Sequence, residues 1–430
     1  MRLCPTSLVL GLSALAAIAQ VPAPMQSLGP SWQAQWLLRA RLGQGNAAFV
    51  PARSWKVTTD QSEIPAAFDG TRLVLVNASP KKVLAVDPLT GSTLWEVPFT
   101  GLLDIPPQIA GNRVIFALEG GRLGVLDAAT GALRNLLSVP AWKSAKGGSP
   151  VPKPRLLFPA VAGDTLVVGW HTPAGEQRPE QGLFAFDLNT GVLRWSSALP
   201  GASELHPLIL GNRVLVGGGG QVTTFDLATG RGGWIAKTPK RSAFESCQLI
   251  EDRLFLRTLQ EVFALDPVTG QILWSQEAQG NSLLIGSGDR LLFTAPRGTF
   301  NPTTWIVAFN SRTGEKAWEW EAEGAHLPWI LNGRVVLNTN AEVLSLDLAT
   351  GAPLWRRELG GALSLPLQVR ADAILAVHRA KGGARIVALR PADGSEASAA
   401  QIKEKIGAGL IHGGPKSVLL PLAEGGVVAF

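Results

Sequence analysis

Tyrosine is absent from this chain and cysteine nearly so, Cys4 and Cys247 being the only two in 430 residues. With Cys4 placed in a leader, one thiol remains, so a disulfide framework is excluded and the fold must rest on its core. The five histidines (His171, His206, His326, His378, His412) are widely spaced, without the close pairing of a zinc site. No acidic cluster outside a set of recurring turn aspartates offers the roughly six to eight oxygens that Ca²⁺ takes. Long apolar runs are missing too: no segment beyond the extreme N-terminus supplies the ~20 residues of a transmembrane helix. Charge is sparse, at 17% of residues, with a net of +6. The basic residues, among them Lys81, Lys82, Arg356, Arg357, Lys403 and Lys405, are scattered without interleaved aromatics. That pattern excludes a nucleic-acid-binding stripe and leaves a solvated basic surface.

The N-terminus has Arg2, an apolar run from Leu8 to Ala19, and small residues at Ala17 and Ala19. This is the pattern of a secretory signal peptide over residues 1–19, cut after Ala19. Cys4 precedes the apolar run, where it cannot be the lipid-modified cysteine of a lipoprotein. The expectation is an exported protein, periplasmic or secreted, without a transmembrane segment. Residues 20–49 form a non-repeat lead containing Trp32 and Trp36, and the repeat region occupies 50–430.

What the sequence does have is a module. Val83 to Trp95 recurs at 123, 183, 222, 262, 306, 343 and 386, with a truncated copy at 427; start-to-start spacings are 40, 60, 39, 40, 44, 37, 43 and 41 residues. Each copy opens with about four apolar residues, such as Val262 to Leu265, apolar on both faces as a strand covered on both sides. Asp-x-x-Thr-Gly follows, as in Asp87, Thr90 and Gly91. Its carboxylate suits the backbone N–H groups of its own turn, and its glycine supplies positive φ. A second strand then carries a tryptophan at a fixed place: Trp95, Trp195, Trp234, Trp274, Trp318 and Trp355. A large ring at one place in successive units is expected to wedge between them, its N–H given to a carbonyl. Upstream lies another hairpin, turning at Gly111-Asn112-Arg113, Gly211-Asn212-Arg213 and Asn332-Gly333-Arg334. One unit is therefore four strands, A to D, which is one blade of an all-β propeller.

Counting C strands gives nine blades, with eight the runner-up because the unit at Ile386 is weak: Arg390 replaces Asp, Asp393 replaces Thr, and no tryptophan follows. Asn135 stands for Trp in the second copy and Asn310 for Asp in the sixth. The candidate structural residues are Asp87, Gly91, Trp95, Asp187, Gly191, Trp195, Asp226, Gly230, Trp234, Asp266, Gly270, Trp274, Gly314, Trp318, Asp347, Gly351 and Trp355. Ser54-Trp55-Lys56-Val57 supplies a D strand with no C strand before it, and Val427 to Phe430 a C strand with no D strand after it. Joining them closes the ring and removes two open edges. Extra length falls in 137–158, 170–182 and 295–305. All three are D–A or B–C connections, which a meander places on one face, and insertions on one face mark a binding face. Candidate contacts there are Trp142, Lys143, Lys153, Arg155, His171, Arg178, Arg297 and Phe300.

Ala85, Asp87, Thr90, Gly91 and Trp95 together resemble the tryptophan-docking repeat of pyrroloquinoline-quinone (PQQ)-type propellers, over essentially residues 54–430. The resemblance implies one of two branches. Quinoprotein dehydrogenases hold PQQ and Ca²⁺ on the propeller axis, and their alcohol dehydrogenases stack PQQ on a disulfide of adjacent cysteines, which this chain lacks. The other branch is the scaffold typified by BamB, of the outer-membrane assembly machinery. The reading leans away from an enzyme: a non-catalytic scaffold for protein–protein interaction, monomeric alone, with a protein partner in the cell envelope and no cofactor. A PQQ-dependent dehydrogenase or PQQ-binding protein, with PQQ and Ca²⁺, is the alternative.

Overall fold

The computed structural model describes residues 55–59 and 67–430, apart from 102, 141–154, 158, 172–180, 200–206, 219, 239–243, 280–283, 299–302, 323–327, 340–341, 371, 408–411 and 414–417. The expected signal peptide, the lead, and Trp142, Lys143, Lys153, Arg178 and Phe300 lie outside the described residues.

Nine antiparallel sheets follow one another around a ring, and in all but the last the strands run in chain order. Blades 1 to 8 span 67–98, 103–138, 155–198, 208–237, 244–277, 285–321, 329–358 and 368–402. The nine-blade count stands, and the weak unit at Ile386 is a complete blade. Blade 9 takes three strands from the C-terminus, His412–Gly413, Val418–Pro421 and Val427–Ala429, and its fourth from Trp55–Val57. Trp55 pairs with Ala429, as Trp95 pairs with Ala85. The two ends therefore share one sheet, in the register the repeat demands.

The apolar C strands are covered on both faces, Val83, Ala85 and Val86 being fully buried. Their side chains fill layers between neighbouring blades rather than one central core. Val83 and Ala85 of blade 1, for example, pack with Val114, Phe116 and Leu126 of blade 2. Several A strands approach the next A strand, as Ala160–Ala162 approaches Leu208–Leu210. The D strands form the rim, alternating exposed and covered, with exposed Leu94, Leu133 and Leu273 on the outside.

Blade 3 departs from the plain pattern. Its A strand is in two pieces on one edge: Arg155–Leu156 pairs with Trp170 and His171, and Ala160–Ala162 pairs with Thr165 to Val167. The long connection before it is thus drawn against the sheet at its end. Among the described residues no helix is long and apolar enough to cross a membrane.

Candidate functional site

Two constructions recur around the ring, both on the face of the A–B and C–D turns. The first is the turn itself. Asp87 Oδ1 accepts from the N–H of Leu89 and Thr90 at 2.7 and 3.0 Å, and Gly91 N–H closes on the Asp87 carbonyl at 2.8 Å. Asp187, Asp226 and Asp266 accept in the same way; for Asp347 the bonds come from the Thr350 N–H and hydroxyl. These bonds favour the ionised carboxyl. Asp226, Asp266 and Asp347 are held below the usual carboxylate range, Asp226 and Asp347 first by a threonine hydroxyl and Asp266 first by the Thr269 N–H. Asp127 is held at about 2, first by Arg134 and then by the Thr130 N–H; Arg194 lowers Asp187 in the same manner. In blade 6 Asn310 Oδ1 makes the same two turn bonds, at 2.9 and 3.0 Å.

The second construction is the latch between blades. Each ring nitrogen Nε1 donates to a carbonyl in the next C–D turn: Trp95 to Ala128 at 2.9 Å, Trp195 to Leu227 at 2.9 Å, Trp234 to Pro267 at 3.2 Å, Trp274 to Ser311 at 3.1 Å, Trp318 to Leu348 at 3.0 Å and Trp355 to Pro391 at 3.0 Å. The indole lies flat on the next turn's glycine. A Cβ at Gly351 would stand 2.6 Å from Trp318 Cδ2, and one at Gly230 2.6 Å from Trp195 Cδ2. So this glycine answers to two demands, its φ of +74° at 351 and the ring above it.

A third set of contacts was not visible in the repeat, where arginine reads as turn composition. Arg113 Nη2 donates to Asp164 and Asn189 of blade 3, both at 2.7 Å. Arg253 reaches the Arg312 carbonyl of blade 6 at 2.6 Å, and Arg290 the Ala349 carbonyl of blade 7 at 3.1 and 3.3 Å. An arginine opening strand B thus ties its blade to the next. The only sequence signal is its recurrence one residue past the turn.

The opposite face carries the B–C hairpins and D–A connections. There the structure brings Arg155 opposite His171 in blade 3. Arg297 sits three blades away, on the long hairpin of blade 6 formed by Arg290–Arg297 and Thr303–Asn310. Its guanidinium lies 4.7 Å over the Trp305 ring and donates twice to Glu319, at 3.0 and 2.7 Å. Glu319 is lowered to about 2, first by Arg297 and then by Lys316. Among the described candidates, Arg297 therefore shares a face with Arg155 and His171 but stands apart from them.

The repeated carboxylates are spent on their own turns, and no three His, Cys, Asp or Glu side chains gather among the described residues. His378 is buried with Nδ1 3.0 Å from the Arg379 carbonyl.

The family of the outer membrane protein assembly factor BamB matches over residues 47–177, 140–276 and 258–429. No curated protein matches the chain. Among solved structures, BamB from Moraxella catarrhalis is similar at 21% identity and a TM-score of 0.50, over 80% of this chain and 95% of that one. The quinohemoprotein alcohol dehydrogenase from Comamonas testosteroni is similar at 14% identity and a TM-score of 0.52, over 97% and 84%. The ADHIIG enzyme of Pseudomonas putida HK5 gives 12% identity and 0.51, over 89% and 77%. At such identities these likenesses speak for the propeller alone.

Proposed function

We propose, since the chain belongs to the family of the outer membrane protein assembly factor BamB, that it is a non-catalytic propeller scaffold of the cell envelope whose partners are proteins. The observation that carries this reading is the commitment of the repeat's own chemistry. The turn aspartates hold backbone N–H groups, the tryptophans hold the next blade, and the strand-opening arginines do the same. The surface this reading assigns to recognition is the face of long connections, which carries Arg155, His171 and Arg297. Export through the signal peptide and a role in outer-membrane protein assembly belong to this proposal, as do the lack of a cofactor and a monomeric state of the isolated chain.

Affinity capture from an envelope extract tests it, with recovery of barrel-assembly components as the expected result. Recovery of none of them would remove the assembly role. The quinoprotein reading draws on fold likeness to two alcohol dehydrogenases. Adding PQQ and Ca²⁺ decides it: a bound chromophore with dye reduction establishes an enzyme and displaces the scaffold reading.

A further inference from the structure

On the face of long connections, the hairpins joining strands B and C differ in charge. Blade 2 has Glu119 and Arg122 there, blade 5 Arg257 and Glu261, and blade 9 Glu424, which pairs with Lys56. Blade 1 has two lysines, but Lys82 bonds Glu96 at 2.6 Å and Lys81 the Gly101 carbonyl at 2.7 Å. The blade 8 hairpin, Ile374–Ala380 and Gly383–Leu389, carries Arg379, Lys381 and Arg385 and no acid.

The connection that leaves blade 8 adds Lys403 and Lys405 to this place. Gln401 Nε2 donates to the Lys381 carbonyl at 3.4 Å, and a Cβ at Gly383 would stand 3.6 Å from Lys403 Cα. The connection therefore starts against the hairpin tip. It is then strapped to blade 9, where the Ala423 N–H donates to the Lys405 carbonyl at 2.9 Å and the Gly407 N–H to that of Pro421 at 3.0 Å. Two residues of chain hold Lys403 and Lys405 within about 7 Å of each other. Arg379, Lys381, Lys403 and Lys405 are all exposed, and among the described residues none of them makes an ion pair.

The positive excess survives a wider count. Glu404 is the one carboxylate between these four cations. Arg385 runs along the blade to Glu396, at 2.7 Å, and Arg357 approaches the same carboxyl at 3.8 Å. Blade 7 sets Glu342 and Glu358 against Arg356 and Arg357, and Lys56 balances Glu424. Blade 5, on the same face, has Arg257 against Glu261 and Glu277. The excess is thus local to the blade 8 hairpin and its connection.

What the patch lacks points to what it meets. Among the described residues, the exposed large hydrophobic side chains end at Leu354, so none stands beside these cations. Protein interfaces centre on apolar and aromatic anchors, and single-stranded nucleic acids on stacking rings. Cations on a projecting hairpin and a strapped connection, without such anchors, suit a plane of phosphates that attracts them over a Debye length.

We propose that the blade 8 hairpin and the connection after it rest on an anionic lipid bilayer, with Arg379, Lys381, Lys403 and Lys405 against its phosphate headgroups. Blade 3, with Arg155 and His171, lies across the ring and stays open to protein. The contact goes beyond the scaffold reading and is measured separately from it.

The test sediments the full chain with vesicles of phosphatidylglycerol and phosphatidylethanolamine, and with vesicles of phosphatidylcholine. At about 20 mM salt the anionic vesicles should bind at least thirtyfold more tightly, and about 500 mM salt should abolish the difference. Lys381→Gln should cost about fivefold. Lys381→Glu with Lys403→Glu should cost at least twentyfold at an unchanged melting temperature. Arg231→Glu with Lys237→Glu, the same charge change on exposed residues of blade 4, should cost less than threefold. No preference for anionic vesicles, or equal losses in the two double variants, overturns the proposal. Release by inorganic phosphate but not by chloride of equal ionic strength assigns a discrete phosphate site and overturns it. So does binding of poly-glutamate where the vesicles do not bind, which assigns the patch to an acidic chain. Vesicle binding without capture of barrel-assembly components leaves the bilayer contact standing and removes the assembly role; the reverse result removes the contact alone.

Discussion

The Asn135 amide nitrogen lies 2.7 Å from the Leu188 carbonyl, so it serves the blade 2–3 junction as the Trp95 indole serves the junction before it with Ala128. An amide replaces the hydrogen bond of the indole without its buried area. Leu137, with Cδ2 3.4 Å from where a Cβ of Gly191 would be, covers part of the surface a ring would cover. Asn135→Ala should therefore cost about 0.5–1.5 kcal/mol, the scale of one hydrogen bond. Trp318→Ala, which empties a buried ring site, should cost about 3–5 kcal/mol. Chemical or thermal denaturation of the two variants measures the difference, and equal losses would contradict the separation of bond from packing.

Gly351 and Trp318 should be energetically coupled. Gly351→Ala places a methyl 2.6 Å from Trp318 Cδ2 and also forces alanine to a φ of +74°. In the wild-type background the cost combines clash and backbone strain. In a Trp318→Ala background only the strain remains, on the order of 1–2 kcal/mol. A double-mutant cycle is expected to show Gly351→Ala less damaging in the second background. Strict additivity would mean that ring and glycine do not meet.

How much of this was legible follows from what repeats. Trp55 and Val427 betrayed the closure because both carry the pattern, and the nine C strands carried the blade count. Asn310 looked like a lost aspartate, yet its carbonyl oxygen does the same work, because the turn asks for an acceptor and not for a charge. Arg113 was illegible as a latch, since its partners Asp164 and Asn189 lie 51 and 76 residues away and follow from ring geometry.

Acid should loosen the turns in a defined window. The folded-state values of Asp127 and Asp187 are depressed from an ordinary 3.8, that of Asp127 to about 2 with Arg134 as the main cause. A depressed carboxyl contributes stability above its unfolded value, and that contribution is lost as pH falls through the folded value. Melting temperature is therefore expected to decline between about pH 4 and pH 2. Asp127→Asn keeps an acceptor for the Ala129 and Thr130 N–H groups, as Asn310 does in blade 6, but removes the Arg134 pair. The variant should melt lower at neutral pH and lose less on acidification. An identical acid profile in the variant would assign the decline to other groups.

The ring closes on the shortest of the described outer strands. Trp55–Val57 is three residues long and is held by its pairing with Val427–Ala429, by the Lys56–Glu424 ion pair and by an apolar layer of Val57, Leu73, Leu84 and Val427. On the other side of blade 9, Ser398 occupies the tryptophan register opposite Ala388. That junction depends on Ile386, Ile402, Leu420, Val428 and Phe430. Removing 427–430 should thus strip both junctions at once and expose the edges of 55–57 and 418–421. Exposed edges pair with other chains, so the truncated protein should elute as oligomers or aggregate while the full chain does not. Size-exclusion chromatography with light scattering at several concentrations reads this directly. A truncated chain that stays monomeric and melts like wild type would mean that the ring does not depend on joining its ends.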